Sequence, residues 1–369
     1  MFISNHIRGL SLILGSLVLG IFVFGNYVIV AQEPKDMVID SATQKRVIDE
    51  LTKDITENYV FPDLAKRMSK DINDRFKKGE YETITGAIKF AQTLTENLQA
   101  ISKDKHLRVT YSERPMPERK AKSEPSAEEK NRYEAFMKRT NFGFEKIERM
   151  QGNVGYIELR GFTDPEMGAK TVEASMNFLA NTDALIFDLR RNGGGSPEMV
   201  ALISSYLFGK EKVHLNDLYW RKGDVTNEFW TSPEKANVKF EGKEIYILTS
   251  KRTFSAAEEF SYNLRNLNRA TIVGETTGGG AHPGGTFRLD EHFGAFISTG
   301  RAISPITETN WEGVGVKPHV TVKQEHALKT AYGLALEKLL AKETDEDMKA
   351  SLKRLIVRTK SELNEEKAK

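Results

Sequence analysis

Twice in this chain an apolar run ends abruptly in a small-residue turn and hands over to a helical pattern. Ala184, Leu185, Ile186 and Phe187 lead into Asp188 and a cluster of glycines. Ile245, Tyr246, Ile247, Leu248 and Thr249 lead into Thr253-Phe254-Ser255-Ala256-Ala257-Glu258-Glu259-Phe260. A strand that is apolar throughout, rather than at every second residue, is buried on both faces and belongs in a helix-covered sheet. Further strands are expected at residues 142–147, 154–159 and 270–273, and an antiparallel pair at 286–289 and 293–298. Helices are expected at about 165–180, 198–207 and from Phe260 to Leu267. Strands alternating with helices imply an α/β core built from βαβ crossovers.

Residues 41–100 follow the helical period instead. Val47, Leu51 and Ile55 share a face, as do Leu64, Met68, Ile72 and Phe76, and then Ile84, Ile88, Ala91, Leu94 and Leu98. Pro62 and Gly79 punctuate them, so a small helical bundle is expected. Residues 107–111 alternate like a strand, and residues 113–138, charged and holding Pro115, Pro117 and Pro125, read as a linker or surface loop with some helix. A polar hairpin is expected at 213–230 and a charged helical tail from Gln324. The expected division is a helical domain at 36–106, strand and linker at 107–140, an α/β core at 141–325 and charged helices at 326–369.

The first 31 residues hold Arg8 as their one Lys or Arg and no Asp or Glu, and residues 10–30 are apolar with scattered Gly and Ser. Ile29-Val30-Ala31 before Gln32 resembles a cleavage site, so residues 1–31 read as a secretory signal peptide or an uncleaved N-terminal anchor. Both place the rest of the chain outside the cytoplasm, periplasmic or secreted. A net charge of +2 argues against electrostatic binding of nucleic acid. Zero Cys excludes disulfides and a thiol nucleophile.

Ser255 sits at a strand-to-helix junction, where a hydroxyl is held on a sharp turn beside the unpaired N–H groups of the next helix. That geometry suits a nucleophile, although a serine opening a helix is more often a simple N-cap. Asp188-Leu189-Arg190-Arg191-Asn192-Gly193-Gly194-Gly195 follows a buried strand, and its glycines would let backbone N–H groups approach an oxyanion or carboxylate. The spacing is not that of a nucleotide-binding loop. A second glycine-rich loop, residues 274–285, carries His282. His106 lies at the edge of the helical segment, where a general base could be supplied, and Glu312 lies in a glycine-bracketed turn, from which a carboxylate could orient an imidazole. The seven His are scattered without an H-E-x-x-H motif, so neither metal nor cofactor is expected.

Taken together and in their chain order, His106, residues 188–195, residues 253–285 and Glu312 resemble the serine peptidase family of tail-specific (C-terminal processing) proteases, the tricorn core and the interphotoreceptor retinoid-binding protein repeats. The resemblance covers about residues 36–325 and is closest to the retinoid-binding-protein-like branch. It implies a crotonase/Clp-protease-like spiral of ββα units behind an N-terminal helical domain. The space between Tyr111 and Phe142 is too short for the PDZ domain of the processing branch, so none is expected. That branch places a lysine base where this chain has Gly280, so its Ser–Lys dyad is missing. The tricorn branch uses a histidine and a glutamate at positions matched by His106 and Glu312, with a serine where Lys105 stands here.

The resemblance implies a Ser255–His106–Glu312 arrangement, with His282 as the alternative base. Oxyanion donors would be Ala256 N–H and that of Gly193 or Gly194, each typically worth about 3 kcal/mol. The expected activity is hydrolysis of peptide or protein substrates through an acyl-enzyme, with membrane contact only through the possible anchor. The alternative is a non-catalytic module of the same fold that binds an apolar ligand or peptide.

Overall fold

The computed structural model describes residues 35–117 and 126–368. The expected leader, residues 1–31, lies outside them. Among the described residues no helix is long and apolar enough to cross a membrane.

Three helices open the fold: α1 (Ser41–Asn58), α2 (Pro62–Lys77) and α3 (Ala87–Ser102), followed by strand β1 (Arg108–Tyr111) and helix α4 (Ala127–Arg139). The α/β part then runs β2 (Phe144–Met150), β3 (Val154–Leu159), α5 (Pro165–Phe178), β4 (Ala184–Asp188), α6 (Pro197–Ser205), β5 (His214–Trp220), β6 (Val225–Trp230), β7 (Glu244–Thr249), α7 (Ala256–Asn266) and β8 (Thr271–Gly274). It finishes with β9 (Gly284–Arg288), β10 (Phe293–Ser298), β11 (Gly300–Ile303), β12 (Val320–Thr321), α8 (Gln324–Lys342) and α9 (Glu346–Ala368). Local chemistry sets several of these starts. Asp164 and Ser196 cap α5 and α6, each followed by a proline at the first helical position, where a missing N–H costs nothing.

The central sheet has six strands in the order β12-β8-β7-β4-β3-β2, parallel except where β2 pairs antiparallel with β3. The apolar runs of β4 and β7 serve both faces at a period of two. Leu185, Phe187, Ile245 and Ile247 join a core with α5, α6 and α7. Ala184, Ile186, Tyr246 and Leu248 join a second core with α8 and α9. A sheet covered on both sides is what continuous apolar strands require.

The N-terminal helices do not close a core of their own. Their apolar face is completed by Leu289, Phe293, Ala295 and Ile297, and β1 pairs antiparallel with β10. The third helix buries Ala87, Phe90, Ala91, Leu94 and Leu98, whereas Ile84 and Ile88 from the expected stripe are half-buried. Gly86 is extended and caps α3 there, so Ile84 lies outside the helix and the buried face turns toward Phe90. The polar hairpin is β5 and β6, with β11 added on the other edge of β5.

Candidate active site

Ser255 is the N-cap of α7, with φ 53° and ψ −125°. An ordinary N-cap is extended. A non-glycine residue held at positive φ costs roughly 1–3 kcal/mol and persists only where its surroundings over-determine it. Those surroundings are identifiable. Glu258 is fully buried, and its carboxylate accepts from Ser255 N at 3.0 Å, Gly280 N at 2.8 Å, Gly279 N at 2.6 Å and Thr277 Oγ1 at 2.5 Å. One anion thus ties the serine turn to the 274–285 loop. Burial pushes this carboxyl up, and the four donors pull against it. The sequence carried the sign: Ser255 and Glu258 have the S-x-x-E spacing of a capping box.

The glycine turn after β4 lies against the same serine. Asn192 is buried; its Nδ2 donates to Leu159 O at 3.0 Å and its carbonyl accepts from Phe254 N at 3.1 Å. At Gly194, with φ 108°, a Cβ would come within 2.6 Å of Ser255 Cβ, so only glycine allows this approach. Gly194 N–H donates to Asn192 Oδ1 at 2.8 Å, so of the two expected second donors it is already engaged. Gly193 is exposed, and Ala256 sits beside Ser255 on the wall of a cavity of about 300 Å³. Asp188 has a structural role: Arg190 grips it with Nε at 2.9 Å, and Tyr156 Oη donates to it at 2.8 Å.

Behind Ser255 lies a cluster drawn from three distant segments. One ring nitrogen of His106 and one carboxylate oxygen each of Asp104 and Glu312 fall within 4.8 Å of one another. His282 Nδ1 stands 3.4 Å from Asp104 Oδ2 and 3.5 Å from Glu312 Oε2. The carboxylate expected to orient His106 is therefore in contact with His282. The His106 ring packs on Phe254 at 4.5 Å and on Phe296 at 5.7 Å between centroids. His106 Nδ1 and Glu312 Oε1 are both buried without a hydrogen-bond partner. Lys105 points away, its Nζ donating to Gly278 O at 2.5 Å.

Burial depresses His106 to about 4, with His282 and Arg108 adding to the effect and Asp104 opposing it. Burial lifts Glu312 to about 7; Asp104 adds to this, while His282 works the other way. Burial alone would raise Asp104 too, but its contact with His282 reverses the direction and holds it below the usual range. Asp104 also accepts from the N–H of His106 and Leu107 and from Tyr59 Oη. Two carboxylates and an imidazole could ligate a cation, but the oxygens of Asp104 are already engaged by these donors. Sequence reasoning did not assign Asp104 a role, though it lies two residues before His106.

Gly280 connects the cluster to the serine. It lines the Ser255 cavity, and a Cβ there would fall 2.2 Å from Phe254 Cζ and 2.7 Å from His106 Cε1. A side chain at position 280 and this placement of the two rings are mutually exclusive.

The glycine turn, the strained serine and the histidine-carboxylate cluster lie within two stretches that match known families. A model of peptidase family S41 matches residues 153–322, and a model of the N-terminal domain of that family in eukaryotic IRBP matches residues 37–144. The chain is 28% identical over 168 residues to the carboxyl-terminal-processing peptidase 2, chloroplastic, of Arabidopsis thaliana. That alignment covers 45% of this chain and 31% of the relative, so the chain spans less than a third of its length. A candidate peptidase from Parabacteroides merdae superposes with a TM-score of 0.55 at 18% identity, over 79% of this chain and 96% of the other. A lipoprotein from Streptococcus agalactiae superposes at 0.50 and 13% identity, over 80% and 96%. At such identities these two structures speak for the fold alone. With its α/β core and its N-terminal segment each matched in turn, the chain belongs to peptidase family S41.

Proposed function

We propose that this chain is a serine peptidase acting outside the cytoplasm, with Ser255 as nucleophile, His106 as base and Glu312 as the anion that stabilises the charged imidazole. The observation that carries the reading is the backbone of Ser255, at φ 53° on the wall of a cavity. Family membership supports peptide or protein substrates. The leader-like run at residues 1–31 supports the location.

His106 is neutral over the working range of pH, so it can accept the serine proton as the hydroxyl attacks the peptide carbonyl. The imidazolium so formed needs a negative charge beside it, and Glu312 and Asp104 are the carboxylates in reach. A small movement that pairs His106 Nδ1 with Glu312 Oε1 would satisfy two orphan atoms at once. The oxyanion would receive the N–H of Ala256 and of Gly193. His106 would then give its proton to the leaving amine, and water would release the acyl group by the reverse steps. His106 is favoured over His282 because its ring packs on Phe254, the residue next to the nucleophile.

The test is labelling with a fluorophosphonate, alongside peptide hydrolysis. Wild type should label and turn over, and Ser255→Ala should do neither. Losing turnover in His106→Ala but keeping most of it in His282→Ala supports the assignment; the opposite pattern makes His282 the base. A wild-type protein that neither labels nor hydrolyses, yet retains peptides, is the binding module.

A further inference from the structure

The wall of the Ser255 cavity also carries an acid. Glu259 lies one helical turn beyond Ser255 on α7 and is 4% exposed. Its Oε1 lacks a hydrogen bond of good geometry, and the buried Asn216 amide beside it lies close enough only to work weakly against the burial. A buried carboxylate so poorly supported is costly, because little replaces the water it lost. The rest of the cavity is greasy: Leu218, Trp220, Ala302 and Trp311 line it. At its rim stands a second acid, the exposed Glu198.

Glu198 also borders a neighbouring cleft of about 880 Å³, which is lined by Asp164, Glu166, Glu173 and Glu228 as well. Two ammonium groups, Lys170 and Lys235, oppose these carboxylates. The negative wall therefore continues beyond the cavity, along a path an extended peptide could follow.

Apolar walls with a buried acid that no cation neutralises match one kind of side chain, a hydrocarbon stem ending in a cation. Building on Ser255 as nucleophile, we propose that this cavity receives the side chain of the residue that supplies the scissile carbonyl, and that it selects lysine or arginine there. The stem lies against Trp220 and Leu218, and the charged head reaches Glu259 and the Asn216 amide. Burial, with Glu198 adding to it, lifts the Glu259 carboxyl to about 8, so the empty cavity holds it protonated. Entry of the cation favours the carboxylate, and its proton is released to solvent.

The experiment compares matched fluorogenic peptides on the full chain, with lysine against norleucine and arginine against citrulline on the acyl side of the bond. The cationic member of each pair should have a kcat/KM roughly 30-fold higher or more, since an unpaired buried charge is heavily penalised. Glu259→Gln should bring the two members within about threefold. Should that variant not fold, Glu198→Gln at the exposed rim should lower the ratio several-fold. Neutral members cleaved as fast as cationic ones, a preference confined to the leaving-amine side, or a ratio indifferent to whichever variant folds overturns the assignment. Fluorophosphonate labelling in the same preparation separates the two levels. Labelling without cationic preference removes the pocket assignment alone, and absence of labelling removes the nucleophile with it.

Discussion

Glu259→Gln is also a test of stability, independent of any substrate. In the unfolded chain this carboxyl titrates near its usual 4.5, whereas in the folded protein burial carries it to about 8. A raised carboxyl means that the folded state keeps a proton the unfolded state gives up. Its contribution is therefore fully present below about 4.5 and is lost as pH rises toward 8. Between pH 5 and pH 8.5 the linkage amounts to about 4 kcal/mol, at about 1.36 kcal/mol for each unit of separation. Glutamine has nearly the same shape and cannot ionise, so the variant escapes this loss. The assay is urea denaturation of wild type and variant at several pH values, comparing the difference in midpoint free energies. Other titrating groups, among them Glu312 and His106, act in both proteins and cancel. The variant should gain on wild type by several kcal/mol across that range. Parallel curves would show that Glu259 ionises without penalty, and the poorly supported buried acid described above would be wrong.

Gly280→Ala places a methyl group against Phe254 and His106, neither of which can move without disturbing the serine turn. Turnover should fall by roughly 10²-fold, with a stability loss of about 1–3 kcal/mol; full activity in this variant would mean that the rings are not held as described. The pH profile of kcat/KM should show an acid limb near 7, because Glu312, which burial lifts to that value, must be ionised to stabilise the imidazolium. Glu312→Gln should flatten that limb and lower the rate by roughly 10²-fold or more; a limb near 4 would instead report His106.

Much of this was legible in the chain because two simple periods were uncontaminated. Ala184 to Phe187 in β4 and Ile245 to Leu248 in β7 are apolar without interruption, and the double-sided burial of Ile186 and Phe187 follows from that. The serine turn was visible as small residues between a strand and a helix. What could not be read was the side-chain traffic across distant segments. Glu258 and Glu259 are adjacent acids, and nothing in their order says that one would gather four donors while the other would keep an oxygen without one. Glu312 was paired with His106 by resemblance; it does share a cluster with that ring, yet the histidine at 3.5 Å from its carboxylate is His282. Gly194 and Gly193 were interchangeable as donors until the Asn192 side chain claimed one of them. Ile84 packs against the same core as Ala91, Leu94 and Leu98 but from outside the helix, since an extended glycine can delay a helix without disturbing the apolar spacing that precedes it.

The strand that begins two residues after His106 is stitched by backbone hydrogen bonds to β10, and β10 belongs to the part of the chain that carries the nucleophile. Removing residues 36–111 would thus do more than delete a base. It would leave Phe293, Ala295 and Ile297 without their helical cover and bare a row of peptide groups ready to pair with another molecule. Chemistry and solubility are in this way mortgaged to the same few hydrogen bonds, and a lineage that discarded catalysis would still have reason to keep the helices.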